Sequence, residues 1–122
     1  VALASAQRHL GDAGEIIAIT PERSLFAAKM KDEAGAEFPV LTDLDNGYAM
    51  SLNLAFWVGE EMRALMTAGG FIPSAAQGNE AWFLPIPATF VVGTDGRVKS
   101  RFIDPDYRKR MEIEELIASM RA

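Results

Sequence analysis

Few residue types in this sequence could carry covalent or metal-dependent chemistry. The 122 residues contain no cysteine, which excludes disulfides, thiolate metal ligands and a cysteine nucleophile within them. The single histidine, His9, excludes a metal site built from several imidazoles. The sequence also lacks the P-loop, HExxH and GxSxG patterns. We therefore predict no metal site and no cofactor.

The remaining polar candidates favour structural roles. Asp43 and Asp45 resemble the start of a calcium loop, but Gly47 comes one position early and Leu54 stands where that loop needs glutamate. The pattern instead favours aspartates that cap the next helix. His9 lies near the predicted end of a helix, where its charge suits the helix dipole better than a catalytic role.

Residues 82–104, WFLPIPATFVVGTDGRVKSRFID, form the most distinctive segment. Residues 89–92 are β-rich and apolar on both faces, which predicts a central strand. Asp95-Gly96 predicts a two-residue turn. Residues 98–103 alternate in polarity, so we expect an edge strand that partly faces water. Trp82 and Phe83 are expected to pack in the core or at an interface and not to line an active-site rim.

The rest of the chain alternates between strand and helix patterns. Strands are predicted over residues 15–20 and 38–42, the first buried on both faces. The first predicted helix covers residues 1–10, with Leu3, Ala6 and Leu10 on one face, and the second covers residues 21–35, with Leu25, Phe26 and Met30 facing the core. A third helix is predicted to start at Asp43 or Asp45. A short helix with Met62, Leu65 and Met66 on one face is predicted to end at Gly69-Gly70, and a final helix covers residues 113–120. Residues 74–79 are expected to form a loop.

Composition and element order bound the class of protein. Residues 1–122 fit one domain, with no apolar run long enough to span a membrane. The net charge of −5 argues against a nucleic-acid partner. Without a signal-peptide pattern, we expect a cytoplasmic location. A strand–helix–strand crossover, then a hairpin and a final helix, predicts an α/β fold, a thioredoxin-like mixed sheet flanked by helices.

Four segments in this order resemble the peroxiredoxin-like family of thiol-specific antioxidant proteins, which includes alkyl hydroperoxide reductase C. They are EIIAITPE, FPVLTD, LPIPATFVVGTDGRV and RMEIEELIASM, and the likeness runs from Glu15 to the C-terminus. In that family the reactive cysteine begins a helix that follows a central strand. The resemblance implies that both lie before Val1, with VALASAQRHL as the tail of that helix. The domain would then be N-terminally incomplete, lacking the strand between residues 16–19 and 89–92.

The resemblance implies an antioxidant activity in which a thiolate reduces a hydroperoxide and a second thiol reduces the resulting sulfenic acid. The partners would be a peroxide substrate and a thiol reductant. A homodimer is expected, through the region 56–84 or the strand at residues 98–103. Residues 1–122 alone hold no catalytic residue and are predicted to be inactive.

The resemblance also marks three residues next to the missing thiol. In thioredoxin-like folds a cis proline precedes the strand beside the reactive cysteine, so Pro87 is expected to be cis and Ile86 to border the site in a surface depression. Thr89 would offer a hydroxyl there. Typical peroxiredoxins carry an arginine near the position of Pro87, whereas thioredoxins and membrane-anchored thiol reductases carry proline. A thiol–disulfide reductase, or a redox-inactive module that binds a partner around Ile86 and Pro87, therefore remains an alternative.

Overall fold

The structure is a computed structural model that describes residues 2–106 and 108–122. The helices in these ranges are α1 Ala2–Leu10, α2 Ser24–Ala34, α3 Gly47–Ser51, α4 Glu60–Ala68, α5 Pro73–Gln77 and α6 Ile113–Arg121. The strands are β1 Ala18–Thr20, β2 Val40–Thr42, β3 Ala55–Trp57, β4 Phe83–Pro85, β5 Ala88–Val92 and β6 Val98–Ile103. The predicted mixed α/β class is confirmed. None of the described helices combines the length and apolar character needed to cross a bilayer.

The described strands pair in three separate two-stranded sheets. β1 and β2 are parallel and are joined through α2, which confirms the predicted crossover. β5 and β6 form the predicted antiparallel hairpin. β3 and β4 form a further antiparallel pair, which the sequence did not indicate. No described strand joins β1 to β5, so a single thioredoxin-like sheet is not formed among these residues and stays a prediction.

The expectation that residues 15–20 are buried on both faces is wrong for the described structure. Ile17 is 56% exposed and Ile19 is 52% exposed, and Leu41, the partner of Ile19 in β2, is also exposed. One side of the pair packs against α2, where Ala27 is buried. No described element covers the other side, so its apolar side chains face solvent.

Helix α2 begins three residues later than the sequence suggested. The Arg23 N–H donates to the Ala76 carbonyl at 2.7 Å, which ties the chain before α2 to α5. Thr20 accepts a hydrogen bond from the Glu22 N–H at 3.4 Å instead of capping a helix at Pro21. Leu25, expected in the core, is 78% exposed. The helix ends at Gly35, whose φ of 67° is the left-handed conformation that glycine adopts without a steric penalty.

The region between β3 and β4 is more helical than the sequence indicated. α4 confirms the predicted short helix before Gly69-Gly70. The expected loop over residues 74–79 is instead largely α5, a single helical turn. Pro73 occupies the first turn of α5, where its missing N–H costs no helical hydrogen bond. Gly78 ends the helix with a φ of 74°, a conformation that glycine adopts readily.

The best-packed part of the fold joins the hairpin to α6. Its buried side chains are Val91, Met111 and Leu116, and three partly buried side chains pack against them, namely Phe102, Ile113 and Met120. α1 packs on α6 and buries Ala4, Ala6 and Leu10, whereas Leu3, expected on that face, is exposed. The hairpin turn has three residues, not two, because the Gly96 N–H donates to the Gly93 carbonyl and Gly96 adopts a φ of 82°.

Candidate functional site around Ile86 and Pro87

Ile86 and Pro87 link β4 to β5, the place the sequence indicated. The Ile86 N–H donates to the Leu54 carbonyl at 2.6 Å, and the Pro87 carbonyl accepts from the Asp104 N–H at 3.3 Å. Both residues are partly buried. Two backbone hydrogen bonds thus fix this link between the sheet β3–β4 and the hairpin.

The Ile86–Pro87 peptide bond is trans, so the prediction of a cis proline is wrong. Trans is the ordinary state of an X–Pro bond, by about 0.5–1 kcal/mol. The Leu54 carbonyl, which accepts from Ile86, and the Asp104 N–H, which donates to Pro87, hold the backbone on either side of this trans bond. The clefts that border α2 are lined by neither Ile86 nor Pro87, so the depression expected at Ile86 is not one of them.

Thr89 lies in β5 directly opposite Phe102 of β6. Residues opposite each other in an antiparallel pair share a face, so Thr89 stands on the side of the hairpin that packs against α6, as does Val91. Ile86, Pro87 and Thr89 are therefore neighbours along the chain. Ile86 and Pro87 carry no reactive group, and Thr89 offers only an alcohol hydroxyl that does not titrate near neutral pH, so the arrangement can bind and orient.

A buried amide pair fixes β4, and with it the approach to Ile86. The Asn46 side chain, only 1% exposed, donates through Nδ2 to Gln77 Oε1 at 3.3 Å and to the Phe83 carbonyl at 3.2 Å. Gln77 is also buried. Sequence reasoning missed both residues, because isolated amides in segments without periodicity give no signal of burial.

Two buried side-chain atoms, one in this pair and one in Trp82, lack protein partners in the described part of the chain. They are Asn46 Oδ1 and the indole Nε1 of Trp82. Trp82 is buried, as predicted, and the Arg63 guanidinium lies over its ring, 5.2 Å from the centroid. A buried acceptor or donor without a partner carries a desolvation cost. For Asn46 Oδ1, the two hydrogen bonds that the Asn46 amide donates offset this cost.

We expect Asn46→Ala to lower the free energy of unfolding by about 1–3 kcal/mol, because it strands Gln77 and the Phe83 carbonyl. Asn46 also has a φ of 58°, which alanine disfavours. Asn53 has the same φ of 58° but is exposed, so Asn53→Ala measures the backbone part alone. Urea denaturation of both variants gives the comparison. Equal losses for the two variants would contradict a role for the buried amide pair.

Two aspartates in the described residues after β6, beside Pro87, accept hydrogen bonds from nearby groups. Asp104 Oδ1 accepts from the Asp106 N–H at 2.8 Å. Arg108 donates from Nε and Nη2 to the two carboxylate oxygens of Asp106, at 2.9 and 3.1 Å. This side-chain bond, and then the bond from the Arg108 backbone N–H, lower the pKa of Asp106 below its ordinary value. Asp106 therefore stays charged as the pH falls until this lowered pKa is reached.

The other polar candidates have structural partners. The Asp43 carboxylate accepts from the backbone N–H groups of Tyr48 and Ala49 at 2.8 and 2.9 Å, so Asp43 caps α3 as predicted. The same prediction is wrong for Asp45, whose Oδ1 accepts from the Asn79 side-chain Nδ2 at 2.9 Å instead. His9 is exposed, and its Nδ1 lies 2.9 Å from the Ser5 carbonyl. Among the residues that the structure describes, no three His, Cys, Asp or Glu side chains cluster as metal ligands would.

Comparisons of the chain with protein-family profiles, with curated proteins and with solved structures gave no match. The likeness to peroxiredoxin-like proteins thus rests on the four sequence segments and their order alone.

Proposed function

We propose that residues 1–122 are the scaffold portion of a peroxiredoxin-like, thiol-dependent oxidoreductase that reduces hydroperoxides. The reacting cysteine would come from polypeptide outside these residues. The observation that carries the proposal is the unpaired edge and the exposed apolar face of both β1 and β5. Within residues 2–106 and 108–122, each pairs with one neighbour only, yet each carries exposed apolar side chains, Ile19 in β1 and both Phe90 and Val92 in β5. Strands with apolar residues on both faces are typical of the covered interior of a sheet.

The order of elements gives further support. A parallel β1–α2–β2 unit precedes an antiparallel hairpin, and α6 then packs back on β5. A thioredoxin-like sheet needs these same units around one further strand. The trans peptide bond at Pro87 removes the support for this arrangement that a cis proline would have given.

In the proposed reaction a thiolate attacks one oxygen of the peroxide, and the O–O bond breaks. Sulfur is oxidised to the sulfenic acid, the peroxide is reduced, and the leaving oxygen takes a proton to become water or an alcohol. A second thiol then condenses with the sulfenic acid, forming a disulfide and releasing water. Residues 1–122 would supply the surface beside the thiol that attacks the peroxide, with Ile86 and Pro87 on one side and the Thr89 hydroxyl nearby.

The experiment is to express the whole coding sequence in which these residues lie and to follow hydrogen peroxide consumption with excess dithiothreitol. We expect turnover, and we expect each candidate Cys→Ser variant to identify the required thiol by abolishing it. A gene product without cysteine, or one whose peroxide consumption no Cys→Ser change affects, would contradict the proposal.

A second function has its own observation. The absence of cysteine, together with the trans bond at Pro87, favours a redox-inactive thioredoxin-like module that binds a partner around Ile86 and Pro87. A thiol–disulfide reductase is the alternative redox function, because Pro87 stands where such reductases also carry proline. Insulin-disulfide reduction by the whole gene product separates the reductase from the redox-inactive module, because only the reductase is active in this assay.

A further inference from the structure

Asn46 is followed by Gly47, the sequence in which an asparagine side chain most readily loses its amide. In that reaction the backbone nitrogen of the next residue attacks the side-chain carbon Cγ, the bond from Cγ to Nδ2 breaks, and ammonia leaves with the proton of the attacking nitrogen. A cyclic succinimide remains, which water opens to aspartate or isoaspartate. Glycine favours the attack because it has no Cβ beside its nitrogen and its backbone rotates freely. The other two asparagines, Asn53 and Asn79, precede larger residues.

The fold holds this pair of residues in an unreactive arrangement. Asn46 is 1% exposed, and its Nδ2, the leaving group, donates to Gln77 Oε1 and to the Phe83 carbonyl. The attacking nitrogen is also engaged, because the Gly47 N–H donates to the Leu44 carbonyl. The ψ of 27° at Asn46 rotates the Gly47 nitrogen well away from Cβ about the Cα–C bond, whereas ring closure needs the two nearly eclipsed. Reaction at Asn46 therefore requires this segment to open locally.

Neither the conformation nor the space at position 47 requires glycine. Gly47 is the first residue of α3, and its φ of −60° and ψ of −45° are ordinary right-handed helical values. A Cβ at this position would lie 4.0 Å from Asp43 Oδ1, an ordinary van der Waals contact. Alanine is also more favourable than glycine within a helix. The fold thus accommodates alanine at position 47, whereas glycine makes Asn46 reactive whenever the segment opens.

We propose that Asn46 is a self-modification site, whose conversion to aspartate or isoaspartate follows separation of α3 from α5 and β4 and then disfavours their reclosure. The modified side chain has a carboxylate in place of the amide, so it has no proton to donate to Gln77 Oε1 or to the Phe83 carbonyl. Closing the segment again would bury a negative charge beside an acceptor without a donor, which is strongly unfavourable.

The consequence of this modification extends to the end of β4. The Phe83 carbonyl, which Asn46 holds, belongs to the first residue of β4, and β4 ends directly before Ile86. Isoaspartate adds a methylene group to the backbone at position 46, which displaces the start of α3 as well. The reaction needs only water, so the proposal does not rest on the proposed redox function.

The test follows deamidation at each asparagine by peptide mapping with mass spectrometry, at mildly alkaline pH, in native buffer and in guanidinium chloride. In the unfolded chain we expect Asn46 to react faster than Asn53. In the folded chain we expect Asn46 to react at least about tenfold more slowly than when unfolded, because only the opened segment is reactive. Isomerisation at Asp95-Gly96 uses the same ring chemistry but leaves the mass unchanged, so it does not enter the measurement.

Three variants separate the local sequence from the fold. Gly47→Ala should slow the reaction of the unfolded chain about tenfold or more, because a Cβ hinders the attacking nitrogen. Gln77→Ala keeps the Asn46-Gly47 sequence but removes an acceptor of Nδ2, so we expect a faster reaction in the folded chain and an unchanged rate in the unfolded chain. Gln7→Ala is the matched control, because Gln7 makes its two backbone hydrogen bonds outside α3, α5 and β4, and it should change neither rate.

The modified chain gains a negative charge, so anion exchange separates it from the unmodified chain for a urea titration. We expect the isolated product, and the directly made Asn46→Asp variant, to unfold at lower urea concentration than the unchanged chain. Equal rates at Asn46 in the folded and unfolded chains would overturn the proposal, as would an unchanged urea midpoint of the product. A Gly47→Ala chain that reacts as fast as the unchanged one, or equal acceleration by Gln7→Ala and Gln77→Ala, would overturn it too.

Discussion

Purified residues 1–122 will not reduce hydrogen peroxide catalytically, even with an excess of dithiothreitol. The reaction needs a thiolate that attacks the peroxide and is then regenerated, and these residues contain no sulfur nucleophile of that kind. The expected initial rate equals that of buffer with dithiothreitol alone. Peroxide consumption followed by a colorimetric peroxide assay gives the measurement.

The six methionines set the one background to be separated from turnover. Peroxide can oxidise each thioether once to a sulfoxide, and dithiothreitol does not return it at a useful rate, so consumption by this route stops at stoichiometric amounts. Intact-mass analysis after the assay counts the added oxygens. Sustained consumption of many equivalents of peroxide per chain would show an activity that needs no cysteine and would refute both redox proposals.

The hairpin and the final helix could be predicted because local and long-range signals agree there. Residues 113–120 place Ile113, Leu116 and Met120 on one face, and that face packs on Val91 of the hairpin. Asp95-Gly96 marked the turn, although the positive φ of Gly96 closes a three-residue loop. The parallel pairing of β1 and β2 followed from the single helix between them.

Burial was predicted less well, because periodicity shows that a face is apolar but not which element covers it. Ile17, Ile19 and Leu25 all satisfy a core pattern, and all three are exposed. The reverse error concerns Asn46 and Gln77, polar residues that the fold buries as a pair. The two residues lie 31 positions apart in the chain, and no local rule of sequence connects them.

The candidate site was located correctly along the chain but not in its geometry. Ile86 and Pro87 do stand at the start of β5, yet their peptide bond is trans and they are tied to Leu54 and Asp104 by the backbone. A cis proline is read from sequence by analogy with a family, whereas the hydrogen bonds that favour either isomer come from segments remote in sequence. Backbone partners of this kind leave no mark on residue identity, since every non-proline residue offers the same donor and acceptor.

Truncation of Leu116 should strongly lower the stability of this fold. Leu116 is 5% exposed and packs with Val91 and Met111, the cluster that holds α6 on the hairpin. Leu116→Ala removes buried methyl groups and leaves a cavity, at a cost of about 2–5 kcal/mol. Against a typical domain stability of ~5–15 kcal/mol this is a large fraction, so we expect a clear fall in the urea midpoint.

Leu25→Ala is the control that decides between the periodic pattern and the structure. The pattern places Leu25 in the core, which would give it a cost similar to that of Leu116, whereas the structure leaves it 78% exposed. The expected change for Leu25→Ala is therefore within about 0.5 kcal/mol. Both variants make the same chemical change within a helix, so propensity effects cancel in the comparison. A large loss at Leu25 would mean that a surface absent from the described residues covers α2, and equal small losses at both sites would mean that α6 does not pack on the hairpin.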